Sequence, residues 1–211
     1  MATSSGGFPD RAATVPLFPL RTVLFPGGVL PLKVFEQRYI EMTKACLRDE
    51  RPFGVCLITR GDEVGRGDGS VPEFATVGTL ARITNVDVPQ MGILHLSTEG
   101  DTRFEVRRHE ADATGMIVAD VSAIAAEPAH PLADIYAPLA KLLALIAARL
   151  APQNFPAVSH YENASWVGYR LAELLPLPLS IKQSMLEVND ADLRLAALRQ
   201  FLERQGLLQA V

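Results

Sequence analysis

Short apolar runs alternate with turn residues through roughly the first 125 positions of the chain. Five of these runs are predicted as strands: Phe53–Thr59, Val77–Val88, Ile93–Thr98, Arg103–Arg108 and Met116–Ile124. One helix is predicted with Glu36 in its first turn, from residues at helical spacing: Tyr39, Met42, Thr43, Cys46 and Leu47. Several strands at this spacing, joined by short turns, indicate a sandwich or a barrel.

Four prolines interrupt the most apolar N-terminal stretch, VPLFPLRTVLFPGGVLPLKVFEQRYI (Val15–Ile40). Proline has no backbone N–H to give to a sheet, so it is confined to sheet edges, corners and bulges. Pro16 and Pro19 are therefore predicted to flank a short edge strand. Pro26 starts a corner with the two glycines that follow it, and Pro31 opens the next extended segment.

After a Pro/Ala-rich linker over residues 125–134, the apolar period becomes helical. The first helical face comprises Leu132, Ile135, Leu139, Leu142, Ile146 and Leu150. Further helix starts are predicted at two capping boxes and an acidic cap: Ser159 with Glu162, Ser180 with Gln183, and Asn189–Asp190. The last helix presents Leu193, Ala197, Leu198 and Phe201 and ends at Gly206. Helices this short need tertiary packing, so the bundle is expected to dock on the β part.

Composition and charge narrow the possible functions. The 211 residues are 48% hydrophobic and 21% charged, with a net charge of −4 and no basic stripe, which argues against a nucleic-acid binder. The small, polar first 14 residues do not resemble a signal peptide, and no apolar stretch is long enough to span a membrane. We therefore expect a cytoplasmic protein whose two cysteines are reduced and buried.

Motifs for catalysis and metal binding are missing from these 211 residues. There is no GxxxxGK[ST] phosphate loop and no GxSxG elbow, and Ala113 stands where HExxH needs its second histidine. The two cysteines do not form a CxxC pair, and the four histidines are not at metal-ligand spacing. We expect no catalytic residue, no metal and no cofactor.

Three stretches together resemble the N-terminal domain of Lon protease: PLFPLRTVLFPGGVLPLKVFEQRYIEM, VGTLARITNVDVPQMGILHLSTEGDTRFEV and RLAELLPLPLSIKQSMLEVNDADLRLAALRQFL. The shared features include the Phe-Pro-Gly corner, the Ala-Arg-Ile strand and the later Glu-Gly and Arg-Phe pairs. The resemblance covers Val15 to Leu202, and its motifs occur in the family's order.

The resemblance implies an α+β fold, a PUA-like pseudo-β-barrel followed by a C-terminal helical bundle. With the linker it predicts a disordered N-terminus over residues 1–14, a β domain over 15–125 and a helical subdomain over 126–211. It implies a non-enzymatic module that binds unfolded or extended polypeptide or a protein partner, without ATPase and protease domains, and with weak self-association. The alternative, an RNA-binding PUA-like protein, is disfavoured by the acidic charge balance.

Six residues around the proline corner are the predicted polypeptide-binding site: Phe25, Pro26, Leu32, Phe35, Arg38 and Tyr39. Apolar grooves and sheet edges are the usual means of binding extended chains. Each apolar member also fits a place in the barrel core, and Arg38 also fits an ion pair with Glu36. The sequence leaves these alternatives open.

Overall fold

The computed structural model describes residues 13–61 and 71–208. Within these residues, six strands make up one sheet: β1 (Ala13–Leu20), β2 (Val29–Val34), β3 (Phe53–Arg60), β4 (Glu73–Gln90), β5 (Ile93–Ala111) and β6 (Ile117–Ala123). Their order is β2-β5-β4-β3-β1-β6, and a further β5–β6 pairing closes five of them into an uneven barrel. Of the pairs that these six strands form, β1 with β3 is parallel and the others are antiparallel. The predicted α+β pseudo-barrel is confirmed.

The strand β5 joins two runs that the sequence analysis separates as Ile93–Thr98 and Arg103–Arg108. Between them Gly100 stays in the sheet, where its N–H donates to the Gly28 carbonyl at 2.8 Å. A Cβ at Gly100 would lie 2.2 Å from the carbonyl oxygen of Phe25, so only glycine fits this close approach of two backbones. What resembles a turn in the sequence is therefore a close crossing within one long strand.

The prolines of β1 occupy positions with a neighbouring strand on one side only. The segment that pairs with β6 runs over Ala13–Leu17 and contains Pro16, whereas the segment that pairs with β3 runs over Leu17–Leu20 and contains Pro19. Both prolines thus lie inside β1, and the prediction that they flank the strand was wrong. Proline is nevertheless tolerated at both positions, because each half of β1 has a neighbouring strand on one side only and needs no N–H on the other.

The described residues also form five α-helices: α1 (Gln37–Arg48), α2 (Ala137–Ala147), α3 (Ala164–Leu174), α4 (Leu179–Glu187) and α5 (Ala191–Arg204). The helix α1 covers one end of the barrel and packs Tyr39, Ile40, Met42 and Cys46 against residues of β1, β3 and β5. The ring of Tyr39 stacks on that of Phe18 with centroids 4.0 Å apart. Leu47, predicted on the same face, is 45% exposed.

The predicted cap of the last helix is confirmed, whereas the two predicted capping boxes are wrong. Asp190 caps α5 by accepting from the Leu193 N–H at 2.9 Å, and Gly206 ends that helix with φ of 68°. The Ser159 box was wrong, because Asn163 caps α3 instead by accepting from Trp166. Ser180 lies within α4, which begins at Leu179 without a side-chain cap.

The apolar faces of α2 and α5 are also shifted from the predicted ones. Leu139 and Leu143 of α2 are buried, whereas Ile135 is 60% exposed. In α5 the buried positions include Leu195, Leu198 and Leu202, whereas Leu193 is 58% exposed.

The helices pack directly on the barrel. One apolar cluster contains Val23, Phe25 and Leu57 from the β part together with buried leucines of α2, α3, α4 and α5. Polar contacts cross the same boundary: Arg170 donates to the Pro26 carbonyl at 2.9 Å, and Gln183 donates to the Val77 carbonyl at 3.0 Å. The structure thus shows the docking that short amphipathic helices require.

A buried ion pair joins the linker to the helices. The Glu127 carboxylate accepts from the guanidinium of Arg194 and, at 2.7 Å each, from the hydroxyls of Ser165 and Tyr169. The side chains of Arg194 and Glu127 are 0% and 3% exposed, and the guanidinium lies 3.9 Å from the centroid of the Tyr169 ring. We call these four residues the Glu127 cluster.

Acid is expected to weaken the Glu127 cluster. Burial raises the pKa of Glu127, but the hydrogen bonds from Arg194, Ser165 and Tyr169 outweigh this and leave the pKa below the ordinary value of 4.5. A carboxylate with a depressed pKa stabilises the folded state above its unfolded pKa, and that contribution is lost as pH falls through the folded pKa. Melting temperatures from pH 7 to pH 3 should therefore fall more steeply in the parent than in Glu127→Gln. Parallel curves would contradict this.

Residues 1–12 of the predicted disordered terminus lie outside the described part of the chain, and Ala13 and Thr14 belong to β1. The division into a β domain over 15–125 and a helical subdomain over 126–211 stays a prediction. The last strand ends at Ala123 and the first α-helix begins at Ala137.

Candidate functional site

A groove of about 180 Å³ follows the outer edge of β2. Residues 31–36 all line it, together with Phe18 and Leu20 of β1 and Tyr39 of α1. Successive residues of a strand point to opposite faces of the sheet. Because residues of both faces contribute, the groove must run along the edge of the strand.

Aromatic side chains line both the floor and the rim of this groove. Phe18 and Tyr39 are 6% and 4% exposed and stack on each other beneath it. Leu32 is half-buried, and Phe35 leaves 52% of its surface in solvent. An aromatic ring that exposed, next to a buried aromatic pair, offers apolar surface to a ligand.

The backbone of β2 also has an open side. In the described part of the chain, β2 pairs only with β5, and it is the terminal strand of the sheet. Pro31 has no N–H to donate, so it fits the ladder where its nitrogen faces away from β5. Backbone groups along an antiparallel strand face the neighbouring strand at every second residue. The Gly28 carbonyl faces β5, because it accepts from the Gly100 N–H, so Leu30 and Leu32 also face β5 and Pro31 faces away. The backbone groups of Val29 and Lys33 then share the outward direction of Pro31.

A short 3-10 turn of the helical part, Pro152–Asn154, lies beside β2, with Cα atoms within 8 Å of the strand. Among the described residues, no backbone hydrogen bond joins this turn to β2. Pro31 and Lys33 remain exposed. The turn therefore does not take the place of a neighbouring strand.

A second, shallower depression of about 370 Å³ lies over the polar face of the sheet formed by β2, β5 and β4. One cross-strand row there consists of Lys33, His95 and Asp87, which face one another in register. Lys33 lines both depressions. It is thus the charged residue that the two surfaces of the edge share.

The structure separates five of the six predicted site residues into two groups, and Arg38 belongs to neither. Leu32, Phe35 and Tyr39 line the groove. Phe25 is fully buried and packs on Tyr169 of α3 with ring centroids 5.7 Å apart, and the Pro26 carbonyl accepts from Arg170. Phe25 and Pro26 therefore belong to the contact between the barrel and the helices. The glycines after Pro26 turn the chain, so that β2 and the groove lie away from this contact.

Arg38 is held in place by other parts of the protein. Its guanidinium lies 2.9 Å from the Glu36 carboxylate, donates to the Gly115 carbonyl at 2.7 Å, and lies 4.6 Å from the centroid of the Tyr39 ring. These contacts fix the start of α1 to the β5–β6 turn. Arg38 thus supports one end of the groove, and a polypeptide-binding role for it stays a prediction.

The sequence analysis missed six of the groove residues: Phe18, Leu20, Pro31, Lys33, Val34 and Glu36. Phe18 and Leu20 reach the groove only through pairing of β1 with distant strands, which no local pattern reveals. Lys33 did carry a signal, because a lysine two residues after a proline in an apolar strand is a common feature of sheet edges.

Charged groups elsewhere on the surface are mostly arranged in pairs of opposite sign. Exposed arginines pair with acidic neighbours at 2.7–3.6 Å: Arg48 with Asp49, Arg60 with Glu73, Arg82 with Glu99, Arg107 with Glu105, and Arg108 with Glu110. Over the part of the chain that the structure describes, such pairing leaves little uncompensated positive charge for a nucleic-acid backbone.

Within residues 13–61 and 71–208, no group of three or more metal-ligating side chains comes together. No helix of that same part is both long and apolar enough to cross a membrane. The two cysteines are buried, and burial raises the pKa of the Cys46 and Cys56 thiols to about 11 and about 12. High thiol pKa values are typical of unreactive structural cysteines.

Comparison with solved structures supports the fold. A Lon N-terminal domain protein from Xanthomonas campestris superposes with a TM-score of 0.72 at 36% identity, over 89% of this chain and 98% of that one. The N-terminal domain of a Mycobacterium avium complex Lon protease gives 0.59 at 18% identity, over 90% of this chain and 98% of that one, and shows the fold alone.

Full-length relatives match over only part of their own length. The chain is 28% identical over 202 residues to a Lon protease of Anaeromyxobacter dehalogenans and 29% identical over 204 residues to Lon protease 2 of Myxococcus xanthus. These alignments cover 93% of this chain and 24% of each relative. The chain thus spans about a quarter of the length of these proteases.

The profile of one family matches residues 14–204, a range that includes every strand from β2 to β6 and all five helices. That family is described as the substrate-binding domain of the ATP-dependent protease La, or Lon. The chain belongs to the family of Lon substrate-binding domains.

Proposed function

We propose that this chain is a non-enzymatic module that binds unfolded or extended polypeptide, and that the polypeptide adds to β2 as a further strand. The observation that carries the proposal is the coincidence of an open strand edge with an apolar groove along it. Main-chain hydrogen bonds to a strand edge do not depend on the sequence of the bound polypeptide. A groove beside the edge favours particular side chains at every second position of that polypeptide. The family description points the same way, since the substrates of a protease are polypeptides.

Binding by a single module should be weak. The edge of β2 offers backbone groups of only Val29, Pro31 and Lys33, and Pro31 contributes a carbonyl alone. The binding free energy of so small a patch barely offsets the translational and conformational entropy that the polypeptide loses on binding. We therefore expect a Kd of about 10–1000 μM. We place this activity in the cytoplasm, where weak self-association would add avidity.

Replacing Phe35 by serine should weaken the binding of a labelled unfolded protein such as reduced, carboxymethylated lactalbumin. The ring is 52% exposed, and covering the remaining apolar surface by a ligand corresponds to about 5- to 10-fold in Kd. Leu145→Ser is the matched control, because Leu145 is 55% exposed on α2 and does not line the groove. Equal affinities for the two variants would contradict the placement of the site.

Strand addition can be separated from general apolar adhesion with N-methylated peptides. Methyl groups on alternate backbone nitrogens should abolish binding when those nitrogens face β2, and should change little when they face away. Equal effects of both methylation patterns would argue against strand addition. Raising salt should alter peptide binding little, whereas binding of a short RNA, the alternative ligand, would fall steeply.

A further inference from the structure

Lys33 is an exposed cation at the edge where the polypeptide is proposed to bind. Among the described residues, no ion pair or hydrogen bond engages its ammonium group, and the other charged residue of the groove, Glu36, is neutralised by Arg38 at 2.9 Å. The groove therefore has one uncompensated charge, and that charge is positive.

The apolar and polar faces of β2 determine which residues of an added strand lie on which side of the sheet. Side chains directly opposite each other on neighbouring strands project on the same face. A residue opposite Leu32 or Val34 would share their face, where both pack with the apolar cluster beneath α1. A residue opposite Lys33 would share the polar face, on which His95 and Asp87 continue the row away from the open edge.

Distance decides which charge the added residue experiences. Neighbouring strands are about 4.8 Å apart, so a residue opposite Lys33 lies one strand spacing from it and about 14 Å from Asp87, three spacings away. A charge at the latter distance is screened in physiological salt. Lys33 thus dominates the local field at that position.

We propose that the β2 edge selects extended segments in which apolar and acidic residues alternate, with the apolar ones in the groove and an acidic one opposite Lys33. The inference rests on the proposed polypeptide binding and names the sequence class that this site prefers. Opposite charges facing each other across strands are stabilising, and like charges are destabilising.

The test compares two labelled peptides that share alternating Val and Phe residues and carry either Glu or Lys at every other position. The parent should bind the Glu peptide about 3- to 10-fold more tightly than the Lys peptide. General attraction to a protein of net charge −4 would give the opposite order. A preference for Glu therefore reports a local cation.

Lys33→Glu should reverse the order of the two peptides. Lys141→Glu is the matched control, since it makes the same charge change at an exposed position of α2 and should keep the order of the parent. Melting curves of both variants establish that they fold.

Three results would overturn the inference: equal affinity of the parent for the two peptides, preference of the parent for the Lys peptide, or equal shifts in the two variants. If unfolded lactalbumin still binds in a Phe35-dependent manner, such a result removes the acidic preference and leaves the proposed function in place. Failure of lactalbumin and both peptides to bind the parent would remove the proposed function as well.

Discussion

Arg194→Ala is expected to lower the free energy of unfolding by about 3–5 kcal/mol, the range typical of removing one partner from a buried ion pair. The guanidinium is fully buried and donates to the Glu127 carboxylate and to the carbonyls of Met185 and Val188. Without it, a carboxylate that is 3% exposed loses its cation, and both carbonyls lose a donor. Urea denaturation followed by circular dichroism measures the loss directly.

Arg199→Ala provides the control in the same helix. Arg199 pairs with Glu203 at 2.7 Å, but the two side chains are 36% and 50% exposed, and pairs at the surface contribute less than about 1 kcal/mol. A similar loss in the two variants would mean that the Glu127 cluster does not hold the helices and the linker together. Arg194→Lys is expected to recover only part of the stability, because a lysine cannot reproduce the fork of hydrogen bonds.

The strands and helices were predictable where a local pattern determines them. Short apolar runs placed β3 and β6, helical apolar spacing placed α1, and the acidic cap placed α5. The joining of two runs into β5 was not predictable, because it depends on a close approach of Gly100 to the backbone of Phe25, a residue 75 positions earlier. A Cβ at position 100 would lie only 2.2 Å from the Phe25 carbonyl oxygen. Contacts between distant segments leave no periodic signal.

The candidate site was half predictable for a similar reason. Residues close together in sequence were expected to be close in space, and this holds for Leu32, Phe35 and Tyr39 around the groove. Phe25 breaks the rule, since the corner after it sends its ring into the helical contact. The buried Arg194 was also missed, because amphipathic patterns assign arginines to the solvent-facing side of a helix.

Removing the helices is expected to destabilise the barrel severely. A fragment ending at Ala125 retains Val23, Phe25 and Leu57 but loses the leucines that cover them. These three side chains are 6%, 0% and 5% exposed in the whole chain, and uncovering each costs about 1.5–3 kcal/mol. The total is comparable to the whole stability of a typical domain, about 5–15 kcal/mol.

Polar contacts add to this loss. Arg103 of β5 is 3% exposed and donates to the carbonyl of Leu186 at 2.8 Å and to the side chain of Asn189, and both acceptors lie in the helical part. The fragment should therefore aggregate or melt well below the full chain, as light scattering and calorimetry would show. The intact chain cleaved once in the linker, between Glu127 and Pro131, is the control, because this cut breaks the backbone but removes no residue. We expect that nicked protein to retain most of the parent's melting temperature. A fragment that melts with the intact chain would instead establish that the barrel and the helices are independent folding units.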